Sequence, residues 1–239
     1  MNRLIFACAT AAAVLSAVPA AAITNFASFS ALSNSPNIGF TAGSGGSGSV
    51  ASLEGAPVTF RFLDALGTTS VFDTTAIFSF MTNTLPGTIV GKTAIASTTG
   101  GTISFTAKNP VSYLGRTGTN LLTATFNEGT FTGVVGGSVA SFFASQPPSS
   151  VTFTSDFLKF GKTTERDIAV AIDAINPKIG LGKRGLGNFT GSAGGLFGVD
   201  GVGGSPSPVP EPAAWGMLVA GFGLVGTMTR RRSRLSVAA

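Results

Sequence analysis

Eight carboxylates are spread through the middle of the chain: Glu54, Asp64, Asp73, Glu128, Asp156, Glu165, Asp167 and Asp173. Two such groups flanking a glycosidic bond could act as acid and base, or as acid and nucleophile, and cleave it. No pair is singled out by its neighbours. Glu165 and Asp167 suit a helix N-terminus, where negative charge is favoured, and Glu128 sits in a turn. The chain has no histidine, and its one cysteine, Cys8, lies in the N-terminal apolar segment. Ser-His-Asp triads, Cys-His pairs and Cys/His zinc sites are therefore excluded by residue type. A calcium site built from oxygen ligands stays open, with Asp64, Asp73 and Asp200 the first residues to test.

Other short matches are weaker. Gly161-Lys162-Thr163 ends like a phosphate-binding loop, but Asp156 stands where that loop needs its first glycine. Gly194-Gly195-Leu196-Phe197-Gly198-Val199-Asp200 is an imperfect single copy of a calcium-binding nonapeptide turn. Such turns work by stacking, so one copy reads as spacer. No G-x-S-x-G nucleophile elbow occurs.

The elements that must position these residues read as strands. Val58–Leu63, Thr75–Met81, Thr102–Thr106, Leu121–Phe126, Thr130–Val135 and Val151–Thr154 are short runs rich in Val, Ile, Phe and Thr. In Thr102-Ile103-Ser104-Phe105-Thr106 strict alternation puts Ile103 and Phe105 on one face. Asn127-Glu128-Gly129 predicts a three-residue hairpin loop. One helix is expected over Glu165–Ile175. Thr164 and Asp167 form a capping pattern, Ile168, Ile172 and Ile175 share a helical face, and Asn176-Pro177 stops the run. The expectation is a mainly β domain over residues 23–180, an antiparallel sandwich or barrel-like fold with one short helix. A glycine-, serine- and proline-rich spacer is expected over residues 181–208.

The formal charge of +5 does not point to an anionic partner. Setting aside Arg3, the four C-terminal arginines and Glu211 leaves ten basic and nine acidic residues. The central domain is close to neutral, so no nucleic-acid partner is expected. Twenty phenylalanines supply ample apolar area for a core.

Both ends read as targeting devices. Arg3, the apolar stretch Leu4–Val18 and the small residues Ala20-Ala21-Ala22 have the order of a secretory signal peptide over residues 1–22. Ala20 and Ala22 form its A-x-A cleavage site, so signal peptidase is an expected partner. Near the other end, Ala213–Thr229 is an uncharged apolar run of seventeen residues. As a helix it would extend roughly 26 Å, enough for a thin bilayer. Trp215 lies at its outer edge, and Arg230, Arg231, Arg232 and Arg234 form a basic stop that should remain cytoplasmic.

The segment 209–234 resembles the PEP-CTERM sorting domain of exported bacterial proteins in its PEPxxWA form. The motif stands here as Pro210-Glu211-Pro212-Ala213-Ala214-Trp215-Gly216, with Gly216 in place of the usual alanine. The resemblance covers about a tenth of the chain. It implies recognition by an exosortase, a membrane transpeptidase-like enzyme that cuts near Pro210, Glu211 and Pro212. It also implies transient anchoring by the 213–229 helix and a link to exopolysaccharide and biofilm matrix. Tails of this kind are sometimes described as an ice-binding protein C-terminal domain, a description of the anchor and no sign that ice is bound. The expected role is structural or adhesive and non-catalytic, without cofactor or metal. A carbohydrate- or ice-binding module is the alternative, and a secreted hydrolase comes third.

Overall fold

The computed structural model describes residues 23–200 except 34, 64–71, 161, 162, 164, 183 and 184. The signal segment 1–22 and the whole of 201–239, including the sorting motif and the expected membrane helix, lie outside the described residues. Fifteen strands follow in order: β1 Ile23–Ala31, β2 Ile38–Ala42, β3 Gly48–Ser52, β4 Pro57–Phe62, β5 Phe72–Thr84, β6 Thr88–Val90, β7 Thr93–Tyr113, β8 Arg116–Phe126, β9 Gly129–Val134, β10 Ala140–Gln146, β11 Val151–Thr154, β12 Arg166–Asn176, β13 Leu181–Gly182, β14 Gly185–Leu186 and β15 Phe189–Asp200. Thirteen of them join one sheet, and β13 and β14 pair with each other.

The sheet closes on itself. Antiparallel pairings run β15–β1–β4–β5–β7–β9–β10–β12 and return to β15. An even number of strands permits such a ring with every pair antiparallel, and closure removes exposed edges. A second ribbon, β2–β3, also bridges β15 and β5. Of the two architectures expected, the hydrogen-bond network is the barrel-like one.

Its spine is a bent meander. β5 and β6 together pair along one edge of β7, and β8 and β9 together along the other. Leu114 and Gly115, both at positive φ (52° and 73°), make the two-residue turn between β7 and β8. From Thr93↔Val134 to Phe105↔Leu122 the register never slips, but Thr99-Gly100 and Asn127-Glu128 are left unpaired on the two strands. Across the two unpaired residues between Thr98 and Gly101 the inward face changes from even-numbered to odd-numbered positions. Ala94, Ala96 and Thr98 point in before the break, and Ile103, Phe105 and Ala107 after it. The expected hairpin at Asn127-Glu128-Gly129 is therefore a corner, at which one ribbon passes from one wall of the barrel to another. Gly100 takes φ +96°, and Gly101 leaves room for the Phe126 ring, whose Cζ would lie 2.7 Å from a Cβ built there.

The interior is phenylalanine packed on phenylalanine. Phe29, Phe78, Phe105 and Phe197 come from β1, β5, β7 and β15, with ring centroids 4.8–6.1 Å apart. A second group, Phe80, Phe126 and Phe142, ties β5 and β8 to β10. All seven rings are buried, each contributing about 1.5–3 kcal/mol of transfer free energy.

Two expectations are corrected here. Residues 166–176 form strand β12 and not the predicted helix Glu165–Ile175. Ile168, Val170 and Ile172 alternate inward with period two. A bulge between Asp173 and Asn176, with Ala174 at φ 48°, then turns Ile175 inward as well. That phase change imitates the i, i+4, i+7 spacing of a helix. The spacer expected over 181–208 gives way from Leu181 to Asp200 to β13, β14 and β15. β15 pairs β12 along one edge, and β1 and β2 along the other.

Gly101→Ala is expected to lower stability by about 1–3 kcal/mol, because the new methyl meets both the Phe126 ring and the Met81 carbonyl. The solvent-facing neighbour Thr102→Ala should change it by less than about 0.5 kcal/mol. Urea denaturation of the two variants gives the comparison, and equal midpoints would mean that the corner yields freely.

Candidate functional site

The eight candidate carboxylates do not assemble into one site. Asp64 lies outside the described residues. Glu54 sits in the turn between β3 and β4. Asp73 is held by Arg61 across β4 and β5, at 2.5 and 2.7 Å, in an exposed bidentate pair. That hydrogen bond lowers the Asp73 carboxyl below its ordinary range. Asp156 has a structural task. Its Oδ2 accepts the N–H groups of Thr119 and Asn120 at 2.9 and 2.8 Å, and Gly118 leaves the space for its side chain. Asp173 lines a small cleft of about 260 Å³ with Ser30, Ser33 and Ser192. Asp200 is buried, and its Oδ1 accepts the Glu165 N–H at 2.8 Å.

Glu165 and Asp167 lie two residues apart at the start of β12, so their side chains share the outer face. Burial pushes the Asp167 carboxyl above its ordinary value, and the nearby Glu165 carboxylate adds to the rise. Next to them Arg166 donates, among the described residues, to neutral oxygens. Its Nε reaches Thr163 Oγ1 at 2.8 Å, Nη1 the Val151 carbonyl at 2.7 Å and Nη2 the Phe160 carbonyl at 3.2 Å. The guanidinium pins the start of β11, and the loop between β11 and β12, to β12.

Glu128 is the candidate that stands in a sizeable concavity. The corner of the β7/β8–β9 ribbon, the outer side of β10 and the loop after it enclose an open cleft of about 720 Å³. Phe143, Glu128, Asn127, Thr99, Thr130 and Ser149 are on its wall. Phe143 is on the outward side of β10, opposite Thr130 and Ala169, and leaves 47 % of its surface exposed. Glu128 makes no ion pair among the described residues. Asn127 is locked in place, because its Oδ1 accepts the Ser150 N–H at 2.7 Å and its own N–H donates to the Ser150 carbonyl at 3.1 Å. Its side-chain NH2 is the group left for a ligand. Sequence reasoning placed Glu128 in a hairpin turn and missed Phe143, because nothing in Ala140-Ser141-Phe142-Phe143-Ala144 says which phenylalanine faces out.

The same corner carries a polar cost. Thr84 and Thr98 are register partners, 3 % and 2 % exposed, and neither hydroxyl has a hydrogen-bond partner among the described residues. Thr82 avoids that cost by donating to the Gly100 carbonyl at 2.7 Å. Among the described residues no group of three or more Asp, Glu, His or Cys could hold a metal ion, and no helix is long and apolar enough to cross a membrane.

The raised Asp167 carboxyl has a pH consequence. The folded chain binds this proton more tightly than the unfolded one. Between the ordinary value of 3.8 and the raised one, stability therefore falls as pH rises, and at neutral pH the charged group is a net cost. Asp167→Asn should be at least as stable as wild type at pH 7 and should gain less on acidification through that window. Thermal melts across the window check this, and a steeper acid gain in the variant would contradict it.

Compared with known proteins, residues 208–232 match the model of the PEP-CTERM protein-sorting motif. No curated protein and no solved structure matches the chain. The chain carries a PEP-CTERM protein-sorting motif, as the order of Pro210, Glu211, Pro212 and Trp215 before an apolar run and an arginine cluster leads one to expect.

Proposed function

We propose that this is an exported, exosortase-sorted protein whose barrel serves as a non-catalytic structural or adhesive component of the cell surface or extracellular matrix. The observation that carries this reading is the sorting motif at residues 208–232. The sequence between Ala213 and Arg234 supports a brief membrane stay, with an apolar run followed by a basic stop. Signal peptidase acts near Ala22, and an exosortase acts at the Pro210-Glu211-Pro212 segment. Attachment to exopolysaccharide in a biofilm matrix is the setting that the sorting route suggests.

The non-catalytic part of the reading rests on the scatter of the acids. Asp73 and Asp156 are engaged in structural pairs, and Glu128 is the one carboxylate on the wall of the corner cleft. Glycoside hydrolysis in its common form uses two. A closed, cysteine-free barrel filled with phenylalanine suits a protein that must stay folded outside the cell without a redox partner.

Two measurements test this. Glu211→Ala is expected to leave the barrel folded while uncleaved precursor accumulates in the membrane fraction. Equal release of variant and wild type would remove the exosortase from the account. N-terminal sequencing of the exported form should begin at or near Ile23, and a retained Met1 in exported material would overturn the signal-peptide assignment.

A further inference from the structure

The corner cleft combines apolar and polar features on the solvated side of the sheet. It is an open groove with one half-exposed aromatic ring, one unpaired carboxylate, a fixed side-chain amide and a fringe of hydroxyls. Its volume of about 720 Å³ falls in the range of small-molecule sites. The two unpaired residues on each strand of the ribbon create the concavity, so the cleft is a product of the bend and not a gap between loops.

We propose that this cleft binds a neutral oligosaccharide, with Phe143 as the platform for one sugar ring. A pyranose has an apolar C–H face and a rim of hydroxyls. The first suits an exposed phenyl ring, and the second suits acceptor-only and donor-only groups placed around it. Glu128 accepts from sugar hydroxyls through its carboxylate. The Asn127 NH2 donates to a sugar oxygen, while the Thr99, Thr130 and Ser149 hydroxyls do either. No Lys or Arg is among the described residues on the wall, and Glu128 contributes negative charge, so phosphorylated or uronic-acid chains are disfavoured. The groove is open, so the ligand is a stretch within a longer chain as readily as its end. This goes further than the surface or matrix role above by naming the ligand class and the site. It rests on that role only for which sugars the protein meets in the cell.

Isothermal titration of the purified full chain with three neutral hexamers, cellohexaose, laminarihexaose and maltohexaose, tests the proposal, with a hexauronate as the charged comparison. At least one neutral hexamer should bind wild type. Phe143→Ala should weaken that binding by about tenfold or more, and Phe143→Tyr should retain it within about threefold. Glu128→Gln should weaken the neutral ligand and improve the hexauronate. Thermal melts of each variant establish that the barrel is intact. Three results would each overturn the site: no binding of any neutral hexamer, a folded Phe143→Ala that binds within about twofold of wild type, or a hexauronate that binds wild type as tightly. Because the titration uses purified protein, its failure leaves the sorting route standing, and a failure of sorting leaves the cleft standing.

Discussion

The barrel depends on one seam. β15 is the strand that lets the sheet close, since it pairs β12 on one side and β1 and β2 on the other. Without it, β1, β2 and β12 would each present a row of unpaired backbone groups, a costly and aggregation-prone edge. The seam demands close approach. At Gly195 an added Cβ would meet the Ala169 carbonyl and lie 2.7 Å from the Phe29 ring. A glycine-rich strand is a poor strand on propensity alone. Here it is held because its neighbours on both sides need partners and because Phe197 and Val199 reach the core.

Closure then governs where chemistry can occur. A barrel wall leaves side chains two destinations, the phenylalanine interior or the solvated outside. At the corner formed by Thr99-Gly100 and Asn127-Glu128 the ribbon changes its inward face. That is where the wall carries a cleft, an exposed ring and two unpartnered buried hydroxyls. The bulges in β1 and β12 also interrupt period two, but the corner is the interruption that carries the cleft of about 720 Å³, a pattern that points to function.

Much of the wall was legible in the sequence. The six predicted runs all overlap strands, with only Leu63 and Val135 falling one residue past a strand end, and Val151–Thr154 matches β11 from end to end. Most of these runs alternate, as Ile103 and Phe105 do inward against Thr102, Ser104 and Thr106, although Leu121 and Leu122 are buried in succession. Two of the misses come from interruptions of period two. A bulge between Asn25 and Ala27 buries Phe26 and Ala27 in succession, which hides β1. The bulge at Ala174 gives β12 a helical signature. β15 was hidden by composition, since its glycines answer to neighbours distant in sequence. The corner was misread because Asn-Glu-Gly suits a hairpin equally well, and only the register with β7 distinguishes the two. The sorting motif was fully legible, because it works as a linear signal and needs no fold to be recognised.

Amide hydrogen exchange along β15 tests the closure most directly. The account predicts that the amides of Phe189–Asp200 that pair with β12, β1 and β2 exchange as slowly as those in the middle of β12, because both open only when the barrel does. Exchange of the Gly194, Gly195 and Gly198 amides at the rate of an unstructured chain, while β12 stays protected, would contradict it. The segment would then be the spacer that its composition suggests, and the barrel would be open at its seam.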